Sequence, residues 1–286
     1  MDPPNEVIAE PLLLACDVDG TLVRGDRILS EGTRSAIAAV RARGTTIVLA
    51  SGRMPTALVG LCRTLRLDGP QITMQGAHVA SPITGEVISS STLGAHEVRA
   101  HLEFARERDV PVLLYYPDRI AAERFDQEIA DLTVVFDEPI PEVVGDLRAF
   151  ADSRPVKTMF VTGRARQDEI AGAARAAFGD GAAMTWGDDR SVELLPAGVS
   201  KGAALAMLAT SLGVDRTRIA AVGDGFNDIE MFAFAGTSVA MSHAPAAVRS
   251  AAMITIPRAD DPFPLVIERL FRSLRSRSGV VEEPGS

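Results

Sequence analysis

The sequence predicts a doubly wound α/β protein, a parallel-sheet core interrupted by an inserted α/β unit. Two observations carry this expectation. Short continuous apolar runs alternate with segments of helical periodicity towards both ends of the chain, beginning with Leu12-Leu13-Leu14-Ala15-Cys16. Such runs mark strands buried on both faces, and their alternation with helices marks a parallel sheet. The rhythm then changes from about Pro82 to Leu194, where hairpin-like and helical stretches mix, and it resumes after Pro196. The expected organisation is a core of residues 1–81 and 196–286, with the inserted unit at 82–195.

In chain order, the first strand ends at Asp17 and is followed by a helix from about Glu31 to Arg43, with Gly44 placed for a left-handed C-cap. Strand Thr45 to Leu49, helix Pro55 to Leu65 and a strand around Gln71 to Met74 continue the pattern. Pro82 to Glu86 reads as a turn. The insert is expected to hold helices Ala95 to Arg108, Glu123 to Asp131 and Gln167 to Phe178. Its strands are expected at Pro111 to Tyr116, Val156 to Val161, Ala182 to Trp186 and Ser191 to Leu195. The returning core is read as helix Lys201 to Leu212, strand Arg218 to Val222, helix Asn227 to Phe234 and strand Ser238 to Met241. Helix Pro245 to Ala251, strand Met253 to Ile256 and helix Pro262 to Leu274 complete it, and the aperiodic tail from Arg275 is expected to be disordered.

With 286 residues and 47% hydrophobic content, the chain can fill a sizeable core. Its 29 basic and 38 acidic residues give a net charge of -9, a field that repels nucleic acid and anionic membrane. No apolar run is long enough to span a bilayer and MDPPNEVIAEP lacks a signal-peptide pattern, so a soluble cytoplasmic protein is expected. Cys16 and Cys62 are too few for a disulfide framework and read as buried free thiols. Only two of the 29 basic residues are lysines, Lys157 and Lys201. A lysine kept against that bias suggests a need for a compact ammonium in place of arginine's planar fork.

Ligands of open parallel sheets bind beyond the carboxyl ends of the strands, and four polar clusters fall at such places or at a helix start. Asp17-Val18-Asp19-Gly20-Thr21 follows the first strand, with two carboxylates on one side of an extended chain and a glycine that allows close approach. Ser51-Gly52-Arg53 follows the second strand and offers a hydroxyl and backbone N–H groups to an anion. Lys201 opens a helix in Gly198-Val199-Ser200-Lys201-Gly202, and Gly223-Asp224-Gly225-Phe226-Asn227-Asp228 follows a later strand. Four carboxylates at close range cannot all stay ionised without a cation. A hard divalent ion with oxygen ligands, Mg²⁺, answers that need and leaves positions for a phosphate oxygen and water. Ser51 and Lys201 are then expected to hold the remaining phosphate oxygens.

These four motifs, in this order, resemble those of the haloacid dehalogenase superfamily, specifically its Cof-type phosphatases, over Leu12 to Leu270. The resemblance implies a Rossmann-like core with a large inserted α/β cap domain. It also implies a phosphoric monoester hydrolase acting on small phosphorylated metabolites such as sugar phosphates. By that resemblance Asp17 is the nucleophile and a metal ligand, and Asp19 is the general acid/base and a ligand through its backbone carbonyl. Asp224 is a metal ligand, with Asp228 and Asn227 supporting that shell, Asp228 at the metal and Asn227 towards the phosphate. Ser51, Gly52 and Lys201 bind phosphate, and Thr21 helps to hold Asp19. Asp17 is thus expected to attack phosphorus while Asp19 protonates the leaving alcohol, and water then frees phosphate from the aspartyl-phosphate. Lys157, Arg190 and Arg53 are the candidates for substrate specificity.

Three places depart from the family pattern: Gln75-Gly76-Ala77 for Asn-Gly-Ala, Ser242-His243-Ala244 for Gly-Asn-Ala, and Arg258-Ala259-Asp260-Asp261-Pro262 for Asn-x-x-Asp-Gly-Val. His243 reads as a surface-loop residue, and His96 and His101 as residues of one exposed helix. A phosphomutase or a non-hydrolysing sugar-phosphate-binding regulator are the alternative functions.

Overall fold

The computed structural model describes residues 10–23, 28–185 and 189–271. The expectations for Trp186, for Gly187-Asp188 and for the tail from Arg275 lie outside these residues. Along the chain run β1 (Leu13–Cys16), α1 (Glu31–Arg41), β2 (Thr46–Leu49), α2 (Pro55–Leu65), β3 (Gln71–Thr73), β4 (His78–Ala80) and β5 (Val87–Ser90). They are followed by α3 (Ala95–Glu107), β6 (Val112–Tyr115), β7 (Ile120–Ala122), α4 (Gln127–Phe136), β8 (Glu142–Val143), β9 (Lys157–Val161) and α5 (Gly163–Phe178). Then come β10 (Ala182–Thr185), β11 (Ser191–Pro196), α6 (Lys201–Ser211), β12 (Ile219–Gly223) and α7 (Ile229–Phe234). The chain closes with β13 (Thr237–Met241), α8 (Ala246–Ala251), β14 (Ile254–Ile256) and α9 (Phe263–Leu270).

Two compact units result, residues 1–49 with 205–286, and residues 50–204. The segment 82–195 lies inside the second, which also takes in α2, β3, β4 and the start of α6.

The first unit is built on a five-stranded sheet in the order β14-β13-β12-β1-β2, parallel throughout. All of β1, β12 and β13 is buried, which is why β1 and β12 read as unbroken apolar runs. From β1 the chain steps outward to β2 on one side, and from β12 to β13 and β14 on the other. The β1/β12 boundary is therefore a topological switch point, the place where open parallel sheets bind their ligands. Helix α1 starts at Ser30, whose Oγ accepts the Thr33 N–H at 2.9 Å. The carboxylate of Asp261 accepts the Ser30 and Thr33 hydroxyls at 2.6 and 3.1 Å. Asp261, within the third segment that departs from the family pattern, thus fastens the start of α1.

The second unit contains a three-stranded sheet, β3-β4-β5, and a six-stranded sheet in the order β10-β11-β9-β6-β7-β8. The six-stranded sheet is antiparallel except for the β7–β8 pair. Strands β4, β5, β7 and β8 are additional to the sequence expectation, and α4 starts later than expected. Ile120-Ala121-Ala122 is taken into the sheet beside β6, and the helix begins only after the Asp126 side chain caps it through the Ile129 N–H at 3.1 Å.

His101 corrects the expectation of an exposed position. It is 2% exposed, bonded through Nδ1 to Thr158 Oγ1 at 3.1 Å and edge-on to Phe178 at 4.7 Å between ring centres. Burial pushes its pKa down to about 4. Between that value and the unfolded one of about 6.5 the unfolded chain binds more protons, so stability rises with pH across this window. Unfolding followed against pH should show stability complete above pH ~6.5, with a loss on the order of 3 kcal/mol as pH falls through ~4. His101→Gln should lack that component, and equal acid slopes in both proteins would contradict it.

Candidate active site

The first unit brings its acidic residues together through strand register. Cys16 pairs with Val222, and the Asp17 N–H extends the ladder to the Val222 carbonyl at 2.9 Å. Asp17 and Asp224 therefore leave adjacent parallel strands at the same end, about 4.8 Å being the usual strand spacing. A turn after β12 adds Asp228, whose Oδ2 accepts the N–H groups of Asp224 at 3.0 Å and Gly225 at 2.9 Å. One oxygen each of Asp17, Asp224 and Asp228 lies within 4.8 Å of the others. Among the described residues this is the group that could hold a metal ion. Asp17 is 7% exposed and Asp228 fully buried. Close, buried carboxylates with oxygen donors alone fit a hard divalent cation. The exposed carboxylate of Asp19 stands outside the group, on a short loop closed by Gly20 N–H to Val23 O at 3.0 Å.

Asp224 is gripped from two sides. Thr21 donates its hydroxyl to Oδ1 at 2.8 Å, so it supports Asp224 rather than Asp19 as expected. His243 Nε2 lies 3.2 Å from Oδ2, so the loop histidine faces the acidic group. That hydrogen bond raises the His243 pKa, against partial burial that lowers it. Gly20, at φ +84°, brings its backbone so close that a Cβ there would lie 2.4 Å from Asp224 Oδ2. Asn227 follows Gly225 in the same turn, its Oδ1 only 2.4 Å from where a Gly225 Cβ would be.

The second unit gathers the anion-binding candidates. Ser51 donates its N–H to Ile72 O at 2.9 Å, and its Oγ accepts the Arg53 N–H at 3.1 Å. Met74 and Gln75 take left-handed conformations, φ +51° and +61°, and donate their N–H groups to Arg53 O and Ser51 O at 3.0 and 3.1 Å. Each such conformation costs a non-glycine residue about 1–2 kcal/mol. The strain folds the turn back so that Gln75 covers Gly52, its Nε2 2.5 Å from where a Cβ would stand. Gly76, at φ +98°, presses on the start of α6, a Cβ there falling 2.2 Å from Ser200 O. The Gln75-Gly76 turn thus joins Ser51-Gly52 to Ser200-Lys201. Lys201 is 1% exposed, and Ser200 Oγ accepts the Ala203 N–H at 3.1 Å.

The three specificity candidates take different places in this unit. Lys157 is 1% exposed, its Nζ 3.0 Å from Glu193 Oε1 and 4.2 Å from the Tyr115 ring centre. Its ammonium is thus committed to an internal ion pair. Beside it Tyr115 donates its hydroxyl to Glu138 at 2.7 Å; burial raises the Glu138 pKa, while Lys157 and that bond oppose the rise. Arg53 is half-buried and lowers the Glu138 pKa by its charge. Arg190 is half-buried, its carbonyl accepting the Thr162 N–H at 2.8 Å. Sequence reading missed Glu193, Glu138 and the direction of His243, because nothing in one-dimensional spacing aims a side chain.

A parallel sheet with an acidic cluster that could hold a metal ion at its switch point is the arrangement of an α/β enzyme. The family model for haloacid dehalogenase-like hydrolases matches residues 14–262, and the chain belongs to that family. A crystal structure of a haloacid dehalogenase-like hydrolase from Bacteroides thetaiotaomicron superposes with TM-score 0.81 at 26% identity, covering 92% of this chain and 100% of that one. The HMP-PP phosphatase of Escherichia coli is 28% identical over 83% of this chain and 86% of its own length. A chloroplastic endoribonuclease, YBEY of Arabidopsis thaliana, is 29% identical over 80% of this chain, which spans 41% of that relative. The fold expected from the sequence is thus found, and phosphoric monoester hydrolase is the class that phosphatase relatives represent. No helix among the described residues is long and apolar enough to cross a membrane.

Gly76→Ala tests whether the turn takes part in anion binding. The left-handed backbone and the Ser200 contact should together lower stability by roughly 2 kcal/mol and weaken inorganic phosphate binding measured by calorimetry. Unchanged phosphate affinity would separate the turn from anion binding.

Proposed function

We propose that the protein is a Mg²⁺-dependent phosphatase that hydrolyses small-molecule phosphate monoesters, sugar-phosphate-like metabolites, through an aspartyl-phosphate on Asp17. The observation that carries the reading is the meeting of Asp17, Asp224 and Asp228 at the sheet's switch point, their oxygens within 4.8 Å. Asp17, Asp224 and Asp228, with the Asp19 backbone carbonyl, would hold Mg²⁺, which when bound offsets the negative charge that a phosphate dianion presents to a carboxylate.

The chain's own groups do the rest. Ser51, the Gly52 backbone, Asn227 and Lys201 bind and orient the phosphate oxygens. An Asp17 oxygen bonds to phosphorus in line as the bond to the leaving oxygen breaks, and Asp19 delivers its proton to the departing alcohol. Asp19, now ionised, takes a proton from water as that water bonds to phosphorus, the Asp17–phosphorus bond breaks, and phosphate leaves. Exposure of Asp19 suits a group that exchanges protons in both halves of the cycle. Thr21 supports the arrangement through Asp224.

Residues 82–195 are read as the cap that chooses the leaving group, with Arg190 and Arg53 as contacting side chains. Lys157 acts there through its pairing with Glu193. The named phosphatase relative fits a small phosphorylated metabolite as partner, and the acidic charge of -9 argues against nucleic acid. The buried, unpaired Cys16 and Cys62 fit a reducing compartment, and the cytoplasm is the proposed location.

Phosphate release from a panel of metabolite phosphates and one aryl phosphate tests the proposal. Release should require Mg²⁺, stop with EDTA, and fall by at least about 10³-fold in Asp17→Asn. Near-normal turnover in that variant sinks the scheme. Metal binding without release from any panel member would favour a phosphomutase or a non-hydrolysing sugar-phosphate-binding regulator.

A further inference from the structure

The structure assigns to His243 a role as a positioning residue for Asp224, one that rests on the metal-site reading above. Strands β12 and β13 are parallel neighbours with Gly223 beside Ala240, so the loops that follow them emerge side by side. Asp224 stands at the start of one and His243 two residues into the other. The second loop is itself fixed: Ala244 N–H bonds Met241 O at 3.1 Å, and Arg249 of α8 donates to the carbonyls of Ser242, at 3.5 Å, and Ala244. The imidazole is thereby held at the acidic cluster, Nε2 at 3.2 Å from Asp224 Oδ2.

The Asp224 carboxylate then has one donor on each oxygen, Thr21 on Oδ1 and His243 on Oδ2. With Gly20 against its face, the group has little freedom to turn. A ligand so oriented does not have to be ordered when the cation arrives, which is how outer partners raise metal affinity. The His243 nitrogen does not join the three-carboxylate group, so it acts through Asp224 and not as a ligand itself. Half-exposed, with 53% of its side chain accessible, it contributes little to the core, so its removal should leave the fold intact.

Calorimetric titration of the full-length protein with Mg²⁺ alone, without substrate, tests this. His243→Ala should bind Mg²⁺ about 10-fold more weakly while its metal-free unfolding temperature stays with the wild type. His243→Gln, whose amide nitrogen reaches as far as Nε2 and donates a hydrogen bond, should recover most of the affinity. An unshifted Mg²⁺ affinity in the alanine variant, or a glutamine variant no better than alanine, would overturn the assignment. Wild-type protein that binds no Mg²⁺ would instead overturn the metal-site reading beneath it. Failure of phosphate release with Mg²⁺ affinity intact would leave His243 positioned as described and refute only the phosphatase reaction.

Discussion

Mutual repulsion among Asp17, Asp224 and Asp228 is the constraint on which the first unit turns. At separations within 4.8 Å, each ionised pair opposes its neighbour by about 3–4 kcal/mol at an effective dielectric near 20. Their surroundings answer with donors. Asp228 receives two backbone N–H groups, and Asp224 receives a hydroxyl and an imidazole. These donors hold the acids in a geometry that could accept a cation. The parallel sheet makes this possible because it delivers Asp17 and Asp224 from adjacent strand ends.

A second constraint works in the other unit, where the backbone itself is strained. Met74 and Gln75 occupy conformations that side chains disfavour, and the carbonyls of Arg53 and Ser51 hold them there. The return is spatial, since segments near residues 51 and 200 meet at one turn through Gln75 and Gly76. Gln75 stands where relatives of this type often have asparagine, which enters the left-handed region more readily. This chain retains the turn with a longer amide laid over Gly52.

Much of this was legible in the sequence, for reasons that can be stated residue by residue. The run Leu12 to Cys16 reads as a strand buried on both faces, which Leu13–Cys16 is, and the polar residues after it stand beyond that strand's carboxyl end. The same logic placed Ser51, Lys201 and Asp224 at element ends. What escaped was direction and pairing. Thr21 reaches Asp224 across 203 positions of sequence, and Glu193 meets Lys157 across 36. The short strands β4, β7 and β8 also escaped, because two or three residues carry no periodicity. His101 escaped because an imidazole on a helix looks amphipathic until aromatic neighbours close over it.

The scarcity of lysine has a plain structural counterpart. Both lysines of the chain, Lys157 and Lys201, are 1% exposed, and they are among its largest fully buried side chains. A compact ammonium with three donors suits a buried place better than a guanidinium fork, which brings five donors to satisfy. The folded surface therefore presents arginine but no lysine amine. Acylating reagents would meet the Lys157 nitrogen, paired inside the six-stranded sheet, only as that interior opens. The modification rate at Lys157 would then serve as a clock for the opening of its own region, without any introduced label.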